Sequence, residues 1–148
     1  VGSQTLIDYL INFARPFIYS TALPPSGYTA IARAYARLYQ NHAERARLSE
    51  RIASFKKRCA QYDWSKVGVR WCDSQTAIQG LIIGEVKRTH TVTQALHAQH
   101  LDVRPIFSPT VPAGTERLRI CLHSFNTDDE LRLLCDTLWT ALSTEVQT

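Results

Sequence analysis

Apolar residues change their spacing along this chain, and each change marks an element. Near the start, Leu6, Leu10 and Phe13 recur at helical intervals. They predict a helix over residues 3–14 with Ser3 as its cap. Arg15-Pro16 ends it, because the residue before a proline is pushed out of the helical region. Residues 17–25 are expected to be extended and to close on Pro24-Pro25. Helical spacing returns from Ser26 to about Tyr62. Ile31, Ala34, Tyr35 and Leu38 form one stripe; Leu48, Ile52, Phe55 and Cys59 form another. The stripes are out of phase, so a kink or break is expected near Asn41-His42.

The pattern then shortens. Residues 63–77 read as irregular, with a short strand at Val67–Trp71. Ile78 to Gly84 reads as a buried strand. A helix is expected to start at Thr89 or Thr91 and to reach about His100. Val103–Phe107 reads as a strand that Pro105 restricts to an edge or a bulge. From Glu116 to His123 the chain alternates strictly. Leu118, Ile120 and Leu122 point one way, and Arg117 and Arg119 the other. Thr127-Asp-Asp-Glu130 is a capping box, and Leu131, Leu134, Leu138 and Leu142 line the helix it opens. This order predicts an α/β chain of the two-layer α+β kind, with helices packed on a small, largely antiparallel sheet.

With 148 residues, 45% hydrophobic and 20% charged, the chain suits one ordinary globular domain. No apolar run approaches bilayer length and no signal peptide is visible, so no membrane partner and a cytoplasmic location are expected. The four cysteines, Cys59, Cys72, Cys121 and Cys135, show no Cys-x-x-Cys pair and read as reduced, mostly buried thiols. The five histidines show no metal spacing, so no metal is expected. No nucleophile elbow, phosphate loop or dinucleotide fingerprint is present, and no catalytic group is expected within the chain itself. The net charge of +4 is concentrated between Gly27 and Tyr62, where eight basic residues face two acidic ones. Arg47, Arg51 and Arg58 share a stripe there. The stripe reads as a wet face or as a dock for an acidic partner. Nucleic acid is disfavoured, because few aromatics interleave the charges.

The candidate chemistry lies in Ser108-Pro-Thr-Val-Pro-Ala-Gly-Thr-Glu-Arg-Leu-Arg-Ile-Cys-Leu122. A stiff Pro/Gly loop feeds a strand whose apolar side can seal a core while its basic side offers forked donors. A guanidinium matches a carboxylate bidentately, which lysine cannot do. This segment resembles the C-terminal signature of the α-oxoamine synthases, which depend on pyridoxal 5′-phosphate. Two further blocks, Leu6 to Pro25 and Ala77 to Gly84, follow in family order, so the likeness runs from about Val1 to Trp139. It is strongest to the members that serve biotin synthesis.

The resemblance implies the small C-terminal domain of a fold-type I enzyme. Residues 1–25 would be an interdomain helix and cofactor-phosphate segment, and residues 26–148 the small domain. It implies decarboxylative condensation of an amino acid, L-alanine, with an acyl thioester, a pimeloyl group carried by coenzyme A or by an acyl carrier protein. It gives Arg119 the substrate carboxylate, Arg117 a structural role, and Thr110 a place near the substrate. It gives Ser20 and Thr21 the cofactor phosphate bound by the other subunit of a homodimer. Val1 and the lack of methionine admit a processed start or a piece of a longer chain; the resemblance favours the second. The cofactor lysine and the large domain would then precede Val1, and the chain alone would be inactive. One departure stands out: Asn126 occupies the place where many members have histidine.

Overall fold

The computed structural model describes residues 2–144. The chain divides between Asn41 and His42 into two compact units.

The first unit is helical. Helix α1 spans Gln4–Phe13, and the Ser3 hydroxyl accepts the Leu6 N–H at 3.3 Å as its cap. The Arg15-Pro16 step, expected to stop a helix, opens a second one. Helix α2 spans Arg15–Ile18 with the proline in its first turn. Helix α3, Pro25–Gln40, begins on Pro25 in the same way. Proline's fixed φ suits a first turn, where its missing N–H has no intrahelical partner to lose. The extended segment is therefore shorter than expected, confined to the residues just before Pro25.

The apolar stripes of this unit are present but uncovered. Leu6, Leu10, Phe13, Ile31, Tyr35 and Leu38 are all exposed, and none of α1, α2 or α3 contains a buried residue. Spacing establishes an apolar face; only a neighbouring element can bury it. Asn41 breaks the helical run, with φ −93° and ψ 61°.

The second unit has a core of its own. Helix α4 spans His42–Cys59. A 3₁₀ turn at Trp64–Val67 ends on Gly68 in the left-handed region. Strand β1 is only Arg70–Trp71, because the turn takes the first part of the strand expected from Val67. Strand β2 is Ile78–Ile82, α5 Val86–Ala98, β3 Arg104–Ile106, β4 Arg117–Cys121 and α6 Asp128–Thr144. The sheet runs β1-β2-β4-β3, antiparallel throughout. Pro105 lies on edge strand β3, where its missing donor costs no ladder bond. Helices α4 and α5 both pack on α6.

Phe55, Leu81, Val92, Leu96, Leu118, Leu138 and Leu142 are each 1% exposed or less. They join the helices to one face of the sheet. The other face is open, with Ile78, Arg119 and Cys121 exposed on it. Helix α5 starts at Val86, ahead of both threonines expected to begin it. Thr89 and Thr93 are buried within it, and their hydroxyls donate to the carbonyls of Glu85 and Thr89 at 2.6 and 2.7 Å. That i−4 bond lets a threonine sit inside a helix without an orphaned hydroxyl.

The thiols also need correcting. Cys59 and Cys135 are buried, but Cys72 is half-buried and Cys121 exposed. Two-residue alternation places Cys121 on the same face as Arg119. The basic stripe is engaged as well. Arg47 pairs with Glu44, while Arg51 and Arg58 reach Asp128 of α6 at 3.1 and 3.8 Å. Among the described residues no helix is long and apolar enough to cross a membrane.

The capping box forms as expected. Thr127 Oγ1 accepts the Glu130 N–H at 3.2 Å, and a Glu130 carboxylate oxygen accepts the Thr127 N–H at 2.8 Å. That backbone bond, with help from Asn126, holds the Glu130 carboxyl below its ordinary 4.5. Hydrogen bonds from Ser54 and Arg51 likewise hold Asp128 below its ordinary 3.8. A carboxyl depressed in the folded state stabilises fully above its unfolded pKa and loses that contribution as pH falls through its folded pKa. Stability should therefore decline as pH drops below about 4.5. Glu130→Gln, which keeps a capping acceptor but cannot titrate, should flatten part of that decline in melts between pH 5 and pH 2.

Candidate functional site

The loop from Phe107 to Glu116 is tied down by its own backbone. The Phe107 carbonyl accepts the N–H groups of Thr110 and Val111 at 3.0 and 3.3 Å. The Pro112 carbonyl accepts from Thr115 twice, at 3.1 Å from the backbone and 2.7 Å from the hydroxyl. Glu116 supplies the anchor. It is 3% exposed, and its carboxylate accepts the Gly114 N–H at 3.0 Å. Its own carbonyl receives the N–H groups of Ile83 and Gly84 at 2.9 and 3.0 Å. The loop is thus pinned to the end of β2.

Two glycines permit that approach. Gly84 and Gly114 have φ of +83° and +81°, a region that costs an L side chain energy. A Cβ on Gly84 would also lie 3.1 Å from the Gly114 carbonyl oxygen.

Arg117 braces the same loop. Its Nε donates to the Thr115 carbonyl at 3.0 Å and an Nη to the Thr115 hydroxyl at 3.2 Å. Arg119 does neither. It is exposed on the open face and makes no hydrogen bond or ion pair with any described residue. Its register neighbours explain the clearance. On one side is Gly80, which has no side chain; on the other is Arg104, already held by Asp102 at 3.0 and 3.1 Å. The fork is positioned by a buried strand and left with its donors unspent. Thr110 is exposed in the loop, its N–H used and its hydroxyl without a partner among the described residues.

Ser20 and Thr21 belong to the first unit, both exposed. The Ser20 hydroxyl donates to the Pro16 carbonyl one turn back, a local bond of the kind hydroxyls commonly make there. Its oxygen keeps lone pairs but has spent its proton. The Thr21 hydroxyl and N–H have no partner among the described residues. Thr21 therefore suits a phosphate oxygen better than Ser20 does. Among the described residues no three His, Cys, Asp or Glu side chains gather as metal ligands would.

Glu116 was missed by sequence reasoning, although its signal was available. It shares even parity with Leu118, Ile120 and Leu122 on the alternating strand, so period two alone puts it on the buried side. Gly80 and Gly84 carried no comparable signal, since their neighbours come from distant strands.

Residues 1–138 match the family of class I and II aminotransferases. The chain belongs to that family. It is 37% identical over 137 residues to the 8-amino-7-oxononanoate synthase of Pseudomonas syringae pv. syringae, covering 93% of this chain and 33% of that protein. It is 39% identical to the enzyme of the same name from Chromohalobacter salexigens, covering 94% of this chain and 35% of the relative. Among solved structures it resembles 8-amino-7-oxononanoate synthase from Francisella tularensis, with a TM-score of 0.74 and 25% identity over 97% of this chain and 41% of that one. A serine palmitoyltransferase from S. paucimobilis holding PLP and myriocin shares the fold, with a TM-score of 0.77 at 21% identity. The chain spans about a third of the length of the curated relatives it matches. Its homologues are α-oxoamine synthases, and the family works with pyridoxal phosphate.

If the glycine pair sets the loop, alanine should act unequally at its two members. Gly114→Ala meets nothing within 4 Å and should cost about 1 kcal/mol from φ alone. Gly84→Ala adds contact with a carbonyl and should cost about 2 kcal/mol or more. Urea unfolding of both variants measures the difference.

Proposed function

We propose that this chain is the substrate-clasping part of a pyridoxal-phosphate-dependent acyltransferase of the 8-amino-7-oxononanoate synthase type. The reaction is decarboxylative condensation of L-alanine with a pimeloyl thioester, carried by coenzyme A or by an acyl carrier protein, in a cytoplasmic homodimer. The observation that carries the reading is the Arg119 fork, without a partner among the described residues, held on the open sheet face beside a glycine and next to a pinned loop.

A carboxylate meeting that fork takes two parallel N–H···O bonds. Fixing the carboxylate fixes the directions of the remaining bonds at the amino acid's α-carbon, which is the orientation the chemistry requires. Thr110 offers a hydroxyl from the loop to the same substrate. Thr21, with Ser20 beside it, would meet the cofactor phosphate of the opposite subunit. When bound, the cofactor supplies an electron sink for the α-carbon. The lysine that carries it and the large domain that holds its ring are assigned to sequence outside this chain, so this polypeptide alone is expected to be inactive. The uncovered apolar helices of the first unit fit contact with that domain and with a second subunit.

Choice of amino acid and acyl donor within the family rests on the strength of the 8-amino-7-oxononanoate synthase likeness. Sister enzymes use the same fold: serine palmitoyltransferase, amino-ketobutyrate ligase and aminolevulinate synthase. Competition among alanine, serine and glycine in the intact enzyme decides between them. A stand-alone module that docks an acidic partner through α4 is less favoured, since Arg47, Arg51 and Arg58 each already face a carboxylate.

Arg119→Ala in the intact enzyme should lower kcat/KM for the amino acid about 100-fold. A bidentate charged contact is worth about 3 kcal/mol, and each 1.4 kcal/mol is tenfold. Arg119→Lys should recover only part of the loss, because a point charge cannot form the fork. Unchanged steady-state kinetics with alanine would remove Arg119 from the site.

A further inference from the structure

We propose that Cys59 and Cys135 form an oxidisable pair, a site of reversible disulfide modification that joins α4 to α6 when a peroxide reaches it. The two sulfurs lie 3.6 Å apart and are hydrogen-bonded to each other. Their side chains are 7% and 1% exposed. Neither belongs to the loop, the open sheet face or the hydroxyls assigned to substrate and cofactor.

The pair is buried, with a cleft beside Cys59. Cys59 also lines a cleft of about 390 Å³ together with Tyr62, Trp71 and Cys72, large enough to admit a small peroxide. The other two thiols differ. Cys121 is exposed and Cys72 half-buried, and neither has a second sulfur against it among the described residues. Oxidation there would stop at a single sulfur or link separate molecules.

Hydrogen bonding prepares the pair for the reaction. The hydrogen bond between the two sulfurs holds the Cys135 thiol below its ordinary value. The same bond and burial push the Cys59 thiol up. After the first ionisation the two sulfurs share one proton, so the charge can reside on either. A thiolate sulfur attacks one peroxide oxygen, the O–O bond breaks and an alcohol or water leaves. The product is a sulfenic acid at that sulfur. The second sulfur then displaces the hydroxyl group as water, and the S–S bond forms. In balance, two thiols and one peroxide give one disulfide, one alcohol or water, and one further water. The two electrons come from the sulfurs and end on the peroxide oxygens. A disulfide needs its sulfurs about 2.05 Å apart, so the pair closes from 3.6 Å as the bond forms.

The link would join positions 76 residues apart in sequence. Closing so long a loop restricts the unfolded chain strongly. In the folded state it fastens α4 to α6, which already pack together.

The test uses the full chain carrying Cys72→Ser and Cys121→Ser, so that only the pair remains. After hydrogen peroxide treatment and digestion without reductant, mass spectrometry should find one linked peptide containing Cys59 and Cys135, two hydrogens lighter than the separate thiols. Dithiothreitol should restore both. The melting temperature should rise by about 5–10 °C on oxidation and fall back on reduction. Two results would overturn the proposal: both thiols still alkylatable after denaturation, or sulfinic acid at either cysteine without a link. A Cys135→Ser version of the same chain should show no oxidative rise in melting temperature; a rise there would also overturn it.

Discussion

Everything at the open face depends on the insertion of β4 between β2 and β3. A strand bonded on both sides has no freedom of register, so its two-residue period becomes a rule about which side chains are wet. Leu118, Ile120 and Leu122 are buried against the helices, and that alone forces Arg119 to the other side. A slip by one residue would drive both guanidinium groups toward the core and expose Leu118, Ile120 and Leu122, a double penalty that no local rearrangement offsets. The position of the fork is thus set by hydrophobic packing on the opposite face of the sheet, with no contact of its own required. Gly80 across the ladder adds no side chain of its own beside the arginine, and the Cys72 side chain lies where its Cβ would be.

The loop before β4 follows the same logic by different means. A binding loop that must order itself on each encounter gives up affinity to entropy. Here the ordering is done in advance. Buried Glu116 anchors Gly114, and paired left-handed glycines let the loop backbone lie against the end of β2. Arg117 adds a brace through Thr115. The two arginines of this motif therefore differ: Arg117 spends its donors on the scaffold, and Arg119 has no partner for its donors among the described residues.

The features legible in the sequence are those whose physics is local. The α6 capping box needs only Thr127 and Glu130, four positions of one chain segment, and it forms as read. The alternation of β4 is visible because each residue's face follows from its parity. The break at Asn41 follows from two stripes that cannot share one straight helix. What escaped depends on partners distant in sequence. Proline is ambiguous because it stops one helix and starts another, and only the chain beyond it decides which. Thr89 and Thr93 look like helix starters until their burial and i−4 bonds are known. Cys121 looked buried because its neighbours are apolar, although its parity placed it beside Arg119. At the site, alternation and guanidinium chemistry made Arg119 a credible anion clamp, but its assignment to a substrate carboxylate came from resemblance. The cofactor role of Ser20 and Thr21 likewise came from resemblance alone.

The two units also differ in what they could sustain alone. Beneath its sheet the second closes a core of nearly inaccessible leucines. Among its described residues the first has three helices, exposed Leu, Ile, Phe and Tyr side chains, and no buried residue. Burying one such side chain is worth about 1.5–3 kcal/mol, and short helices without tertiary packing are marginal in water. Little of the order of α1 and α3 can therefore come from burial within the unit itself. On the reading proposed above, the Arg119 fork and the stiff loop would seize and orient a carboxylate, and a clamp of that kind gains from the rigidity that β4 and its core provide.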